Sequence, residues 1–430
     1  MFRSFLVLVF SNIICLVVFT QAPIAQKLAV APPSSQKFAE DRLYRIDNMV
    51  KGYIDDGQMN GAAALIARNG KIIYYRSFGY DDREARKPLK RNAIFRIASQ
   101  TKAVTSVAVM MLYEEGKFLL DDPISKYIHS FKNPQVLENF NAQDTTYTTI
   151  PAKREITIRN LLNHTSGIGY AQIGSPEFNA IYAKNKITSF LGQGSASLAE
   201  DIQKLGALPL MHHPGEKFTY GLNTDVLGYL VEVASGMSLD EFFRKRIFDP
   251  LGMKDTYFYL PPDKQARLVT NYYGDSTGKL RKMPIDFYSS GALNSDYPKS
   301  NGTYYSGGAG LSSTIFDYAI FLQMLLNGGV YNNKRLLSPH TIRLMTINQL
   351  GDVDYGVDRF GLGFNVVTER GSASSPMAEK SYDWGGIFST KFWVDPKNKM
   401  IGLFFKQVWH DPAEESTEKF SVMTYSALME

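Results

Sequence analysis

The sequence predicts an α/β fold in which both ends of the chain share one antiparallel sheet and a mostly helical block is inserted between them. Three observations predict it. Strand signals cluster near the start and near the end of the chain. Between about residues 120 and 300 the apolar stripes are short and helical, separated by polar loops. A helix beginning after Ser99 is apolar on every face (Val104, Val107, Ala108, Met110, Met111, Leu112), as a helix enclosed by other layers must be. The division expected is 38–119 with 301–430 as the sheet part and 120–300 as the helical part.

In chain order, residues 1–25 read as a secretory signal. Arg3 gives the positive start, Phe5 to Phe19 is mostly apolar, and small residues follow near Ala22 to Ala25. A membrane anchor is the competing reading, although the apolar run is short for a span. The one cysteine, Cys15, lies in this segment, so a chain cut near residue 25 would have no disulfide and no thiolate metal site. Residues 26–37, with Pro32-Pro33-Ser34-Ser35, read as a linker. Leu43, Ile46, Met49, Val50, Tyr53 and Ile54 make one helical stripe that ends before Gly57. Ala62 to Ala67 and Lys71 to Tyr75 read as strands joined across Asn69-Gly70, a dipeptide that favours a tight hairpin turn.

In the middle block, helices are expected from Thr157, from Asp225 to Val233, and from Ser238, where Ser238 and Glu241 form a capping box. Asn133 to Pro151 and Lys264 to Asn301 read as long loops. A helix from Ile315 to Leu326 closes at Asn327-Gly328-Gly329. Leu362–Thr368, Tyr382–Ile387, Thr390–Val394 and Met400–Gln407 read as strands, and Pro412 opens the last helix.

The chain has 430 residues, 44% hydrophobic, enough for a large core, with a net charge of +5 and no basic run. Nucleic acid is therefore not an expected partner. His164, His212 and His213 lack metal-ligand spacing, so His164 reads as a structural hydrogen-bonding residue; neither metal nor cofactor is expected. Gly-x-Ser-x-Gly is absent, which disfavours a Ser-His-Asp hydrolase.

The chemistry concentrates at Ser99-Gln100-Thr101-Lys102. Ser99 and Lys102 stand one turn apart on one helix face. Lys102 is the only charged residue between Arg96 and Glu114. Burial favours the neutral, basic form of an amine, and a base beside a hydroxyl makes that hydroxyl a nucleophile. The helix N-terminus adds a positive field for an oxyanion. Ser34-Ser35-Gln36-Lys37 matches the same pattern but has no apolar helix behind it. Tyr220 is a second candidate, because a phenol beside an ammonium can serve as a base. The third is Trp384-Gly385-Gly386-Ile387, where two glycines bare a strand edge to a substrate strand or an oxyanion.

These stretches, with Leu161 to Gly167, Pro214-Gly215 and Tyr305 to Leu311, resemble the serine β-lactamase and penicillin-binding-protein superfamily, in particular its class C β-lactamase-related serine hydrolases and esterases. The resemblance implies a five-stranded antiparallel sheet flanked by helices, with a helical domain beside it. It implies an exported hydrolase with Ser99 acylated, Lys102 its proton partner, and Tyr220 shuttling protons. It also implies an oxyanion hole from the backbone amides of Ser99 and Ile387, and substrate contacts at Trp384, Gly385, Gly386 and Asn223. Two departures stand out. Leu222 occupies the place of the family's usual Asn, with Asn223 one residue late, and Trp384 replaces a Lys that holds substrate carboxylates. The expected activity is esterase first, then β-lactamase or D-alanyl-D-alanine carboxypeptidase. A non-catalytic binder or sensor is the competing class. The expected partner is a small ester, amide or peptide.

Overall fold

The computed structural model describes residues 27–170, 173–188, 197–285, 287 and 294–429. The expected signal peptide and Cys15 lie outside them. No helix of the described residues is long and apolar enough to cross a membrane.

The central sheet has nine strands: β1 (Ala29–Val30), β2 (Gly61–Arg68), β3 (Lys71–Asp82), β4 (Lys87–Pro88), β5 (Arg359–Phe360), β6 (Asn365–Val366), β7 (Tyr382–Gly386), β8 (Thr390–Asp395) and β9 (Met400–Phe405). Their order is β1-β3-β2-β9-β8-β7-β6-β5, with β4 also on β3. This corrects the expected five antiparallel strands. Five longer antiparallel strands form the middle, short strands extend both sides, and β1 runs parallel to β3, so the sheet is mixed. Strands of two residues carry no readable alternation. Val30 is 81% exposed, so backbone bonds rather than burial hold β1 in place: Ala29 N to Gly70 O at 3.2 Å and Ala31 N to Ile72 O at 3.0 Å. The segment expected to be a free linker therefore lies against the sheet.

The hairpin between β2 and β3 turns at Asn69 and Gly70, both in the left-handed region (φ 51° and 72°), as the dipeptide required. β2 is apolar on both sides because both faces of the sheet are covered. Ala62, Ala64 and Ile66 meet α1 (Glu40–Asp55) and α5 (Ser416–Ala427), while Ala63, Leu65 and Ala67 join the core around α2 (Thr101–Glu114). α3 (Asn223–Ser235) and α4 (Ile315–Leu326) pack into that second core, which is continuous with the helices of residues 158–206. Every residue of α2 from Thr101 to Leu112 is buried.

Five local expectations change. Residues 133–151 are not a loop but a hairpin, Gln135–Asn141 with Thr146–Pro151; both its faces are largely exposed, so no apolar alternation announced it. Within 264–301, Tyr272–Gly274 pairs with Leu280–Lys282 on one side and with Val408–Trp409 on the other, and part of the stretch lies outside the described residues. The strand expected over 362–368 is only Asn365–Val366, because Gly363 is left-handed (φ 95°) and a Cβ there would lie 2.2 Å from Ser106 Oγ. The last helix begins at Ser416 rather than Pro412. Buried Lys406 pairs with Asp411 and donates to Ala413 O and Ser416 Oγ, both at 2.9 Å, which holds the intervening chain in a turn. At Ser238 the side chain caps Glu241 N as expected, but the Glu241 carboxylate pairs with Lys245.

Phe420 of α5 stacks on Phe404 (4.9 Å) and meets the Trp393 ring edge-on (5.4 Å) beneath the sheet. Phe420→Ala should cost about 3–5 kcal/mol, read as a lowered urea midpoint at an unchanged m-value.

Candidate active site

Ser99 sits in a single turn of tight helix, residues 98–100, that runs into α2. Ala98, just before it, is held left-handed (φ 43°) although 99% of its surface is covered, a conformation costing about 1–2 kcal/mol for a residue with a Cβ. Ser99 itself is half-buried and lines a cleft of about 1480 Å³.

Lys102 is 1% exposed. Its Nζ donates to Ser99 Oγ at 3.2 Å, Tyr170 Oη at 2.9 Å and Gly308 O at 2.8 Å. An ammonium has three N–H donors, and all three have acceptors here. Nζ also lies 4.6 Å from the centroid of the Tyr220 ring. The Tyr170 and Tyr220 rings are 5.4 Å apart and their phenols are hydrogen-bonded, so Tyr220 reaches Lys102 through Tyr170. Burial, with Tyr220 and Asp225 close by, pushes the Tyr170 phenol well above its ordinary range, so it stays protonated and passes hydrogen bonds on. The structure thus joins Ser99, Lys102 and Tyr220, and inserts a phenol not read from the sequence. The sequence shows only its place, Gly167-Ile168-Gly169-Tyr170 directly after Leu161 to Ser166, and not what the phenol meets.

The Gly308 carbonyl is itself held. Asp225 Oδ1 accepts from Ser306 Oγ (2.6 Å) and Gly308 N (3.2 Å), while Thr105 Oγ1 donates to Gly307 O (2.7 Å). Burial pushes the Asp225 carboxyl up, and the Ser306 hydrogen bond opposes it. Asp225 is thus a positioning residue for the turn that receives Lys102, a role that its place in a predicted helix did not announce.

Asn223 departs from expectation. It is fully buried and does not line the cleft. Its amide donates to His164 Nδ1 (2.9 Å) and Thr219 O (3.4 Å), and its carbonyl accepts from Ser166. His164 then packs its ring 4.9 Å from Tyr220. His164 is the hydrogen-bonding residue expected, and it supports Tyr220. Burial, then the Lys102 charge, hold His164 well below its usual range, hence neutral.

Trp384, Gly385, Gly386 and Ile387 line the cleft opposite Ser99. β6 pairs only with Tyr382 and Asp383, so the rest of β7 presents an open edge there. Gly386 has a steric reason to be glycine: a Cβ would lie 2.3 Å from Ile97 O, in the turn that holds Ser99. Trp384 stands 5.7 Å from Tyr220 and 5.3 Å from Phe360. Among the described residues lining the cleft, the one lysine is Lys391, and it is ion-paired with Asp383. No group of three or more His, Asp or Glu side chains among the described residues is placed to hold a metal.

Two outcomes follow from this geometry. Gly386→Ala must push β7 away from the Ser99 turn by about 1 Å, and turnover should fall about 100-fold while the melting temperature moves little. An unfolded histidine takes its proton near pH 6.5 and buried His164 does not. The contribution of His164 to folding stability is therefore complete above that pH and declines as pH falls below it. Urea midpoints from pH 8 to 5 should show the decline, and His164→Gln should shallow it, leaving the smaller part due to His212, whose burial also lowers it.

The Beta-lactamase family model matches residues 46–422. Protein Rv1367c of Mycobacterium tuberculosis is 33% identical over 371 residues, 83% of this chain and 88% of that protein. Esterase EstB of Burkholderia gladioli is 27% identical over 370 residues, 84% and 88%. The solved structure of EstCE1, a hydrolase with promiscuous acyltransferase activity, superposes with a TM-score of 0.77 at 26% identity, covering 90% of this chain and 99% of that one.

Proposed function

This chain belongs to the β-lactamase family and is a serine hydrolase, and we propose that it is a carboxylesterase working through an acyl-enzyme on Ser99. The carrying observation is Lys102 Nζ, 3.2 Å from Ser99 Oγ at the floor of a cleft walled by an indole. In the reactive form the Lys102–Tyr170–Tyr220 array holds one proton fewer than when Lys102 is an ammonium; Ser99 Oγ attacks the ester carbonyl carbon, the carbonyl π bond opens to the oxyanion, and the Ser99 proton fills that vacancy. The backbone amides of Ser99 and Ile387 stabilise the oxyanion. Tyr220 returns the proton to the departing alkoxide. Water, deprotonated through the same array, then attacks the acyl-enzyme and releases the acid and free Ser99.

The β-lactamase or D-alanyl-D-alanine carboxypeptidase reading needs a cation for the substrate carboxylate. Trp384 offers none, and Lys391 is already paired with Asp383. A charged hydrogen bond of that kind is worth about 1.5–3 kcal/mol, so its loss costs about 10- to 100-fold. A non-catalytic binder would have no need of a half-exposed Ser99 in contact with a buried amine. Residues 1–25 support export as part of the same proposal.

Ser99→Ala should lower p-nitrophenyl ester hydrolysis about 1000-fold or more and abolish fluorophosphonate labelling. Wild-type kcat/KM for nitrocefin and for a D-alanyl-D-alanine peptide should fall about 100-fold below that for the ester. Ester turnover that survives Ser99→Ala, or a preference for nitrocefin, would refute the esterase.

A further inference from the structure

A run of aromatic rings leads away from the nucleophile. Tyr220 touches Trp384 (5.7 Å), Trp384 touches Phe360 (5.3 Å), and Phe360 touches Phe218 (5.3 Å) and Tyr355 (5.7 Å). Phe218 and Tyr355 close the set at 4.6 Å. Phe360 is 1% exposed and forms the floor, while Phe218, Tyr220, Tyr355 and Trp384 line the cleft. These residues come from three separate parts of the sequence, and together they make an apolar bowl whose inner rim is the Ser99 site. The outer rim is Tyr355, in a loop whose Gly351 and Gly356 are left-handed (φ 60° and 88°). Burial first, then the nearby Asp383 and Asp358 carboxylates, push the Tyr355 phenol up. A negatively charged ligand group entering here would meet the Asp358 carboxylate and no free ammonium, because Lys391 is paired with Asp383.

We propose that Phe218, Tyr355 and Trp384 form an acyl-binding subsite for uncharged apolar acyl chains longer than acetyl, with Tyr355 setting the length preference. This rests on the esterase reading above and specifies its substrate class. The ester carbonyl lies at Ser99 and the acyl chain runs along Trp384 toward Tyr355. Each methylene buried there contributes about fourfold to kcat/KM.

The test is a series of p-nitrophenyl acetate, butyrate and hexanoate, together with the ester of glutarate as a mono-anion. Wild-type kcat/KM should rise from acetate to hexanoate by about fourfold per methylene over the first few, and the anionic ester should be at least about tenfold poorer than butyrate. Tyr355→Ala should reduce the hexanoate-to-acetate ratio about tenfold, and Phe218→Ala should reduce it similarly. Tyr355→Phe should keep the ratio, because the ring and not the hydroxyl makes the contact. A ratio of rates is insensitive to the fraction of protein correctly folded. If the esters are hydrolysed but the ratio is flat, or unchanged by Tyr355→Ala and Phe218→Ala, the subsite is wrong and the esterase stands. If no ester is hydrolysed, both fall.

Discussion

The buried ammonium of Lys102 is the constraint around which the rest of the molecule is arranged. Removing a lone ammonium from water costs several kcal/mol unless each donor finds an acceptor. Lys102 finds them in three places: Ser99 on its own helix, Tyr170 beyond the 158–162 helix, and Gly308 before α4. Gly308 can serve only because Asp225, at the start of α3, fixes Ser306 and the Gly308 amide. Thr101 and Thr105, on either side of Lys102, bind the same turn at Leu311 N and Gly307 O. One charge thereby couples α2, α3 and two loops far apart in sequence, and the pairing places a hydroxyl beside an amine in a cleft.

A second constraint is spatial. The open edge of β7 must approach the Ser99 turn closely, and only a residue without a side chain permits it at position 386. The neutral imidazole of His164 plays a comparable part on the other side. It accepts from Asn223, and its ring backs Tyr220. Hydrogen bonds that hold the groups around the cleft are thus made by residues that never face it.

The family's scaffold carries several chemistries, and fold alone does not choose among them. What distinguishes this chain is the character of the wall beyond the nucleophile. An indole stands where a lysine would hold a carboxylate, and four further aromatic rings continue from it. Such a surface rewards apolar area and offers nothing to a negative charge, which is the physical basis for reading an ester rather than a β-lactam or a peptide terminus.

The helix of Ser99 and Lys102, the Asn69-Gly70 hairpin, the long strands of the sheet and the choice of Ser99, Lys102 and Tyr220 as candidates were legible in the sequence. Ser99 and Lys102 depend on one turn of helix, the hairpin on left-handed residues at a turn, and the strands on short apolar runs bounded by turn residues, whereas Tyr220 came from its phenol chemistry and the family resemblance. The short edge strands, the 135–151 hairpin and the start of α5 were not, because they are held by backbone bonds or by one buried ion pair and leave no apolar period. Tyr170 as a link between Lys102 and Tyr220, Asp225 beneath Gly308, the inward turn of Asn223 and the bowl around Phe360 belong to the tertiary structure alone. They consist of contacts between segments tens to hundreds of residues apart, and no local pattern encodes which distant side chain will fill the space beside a buried charge.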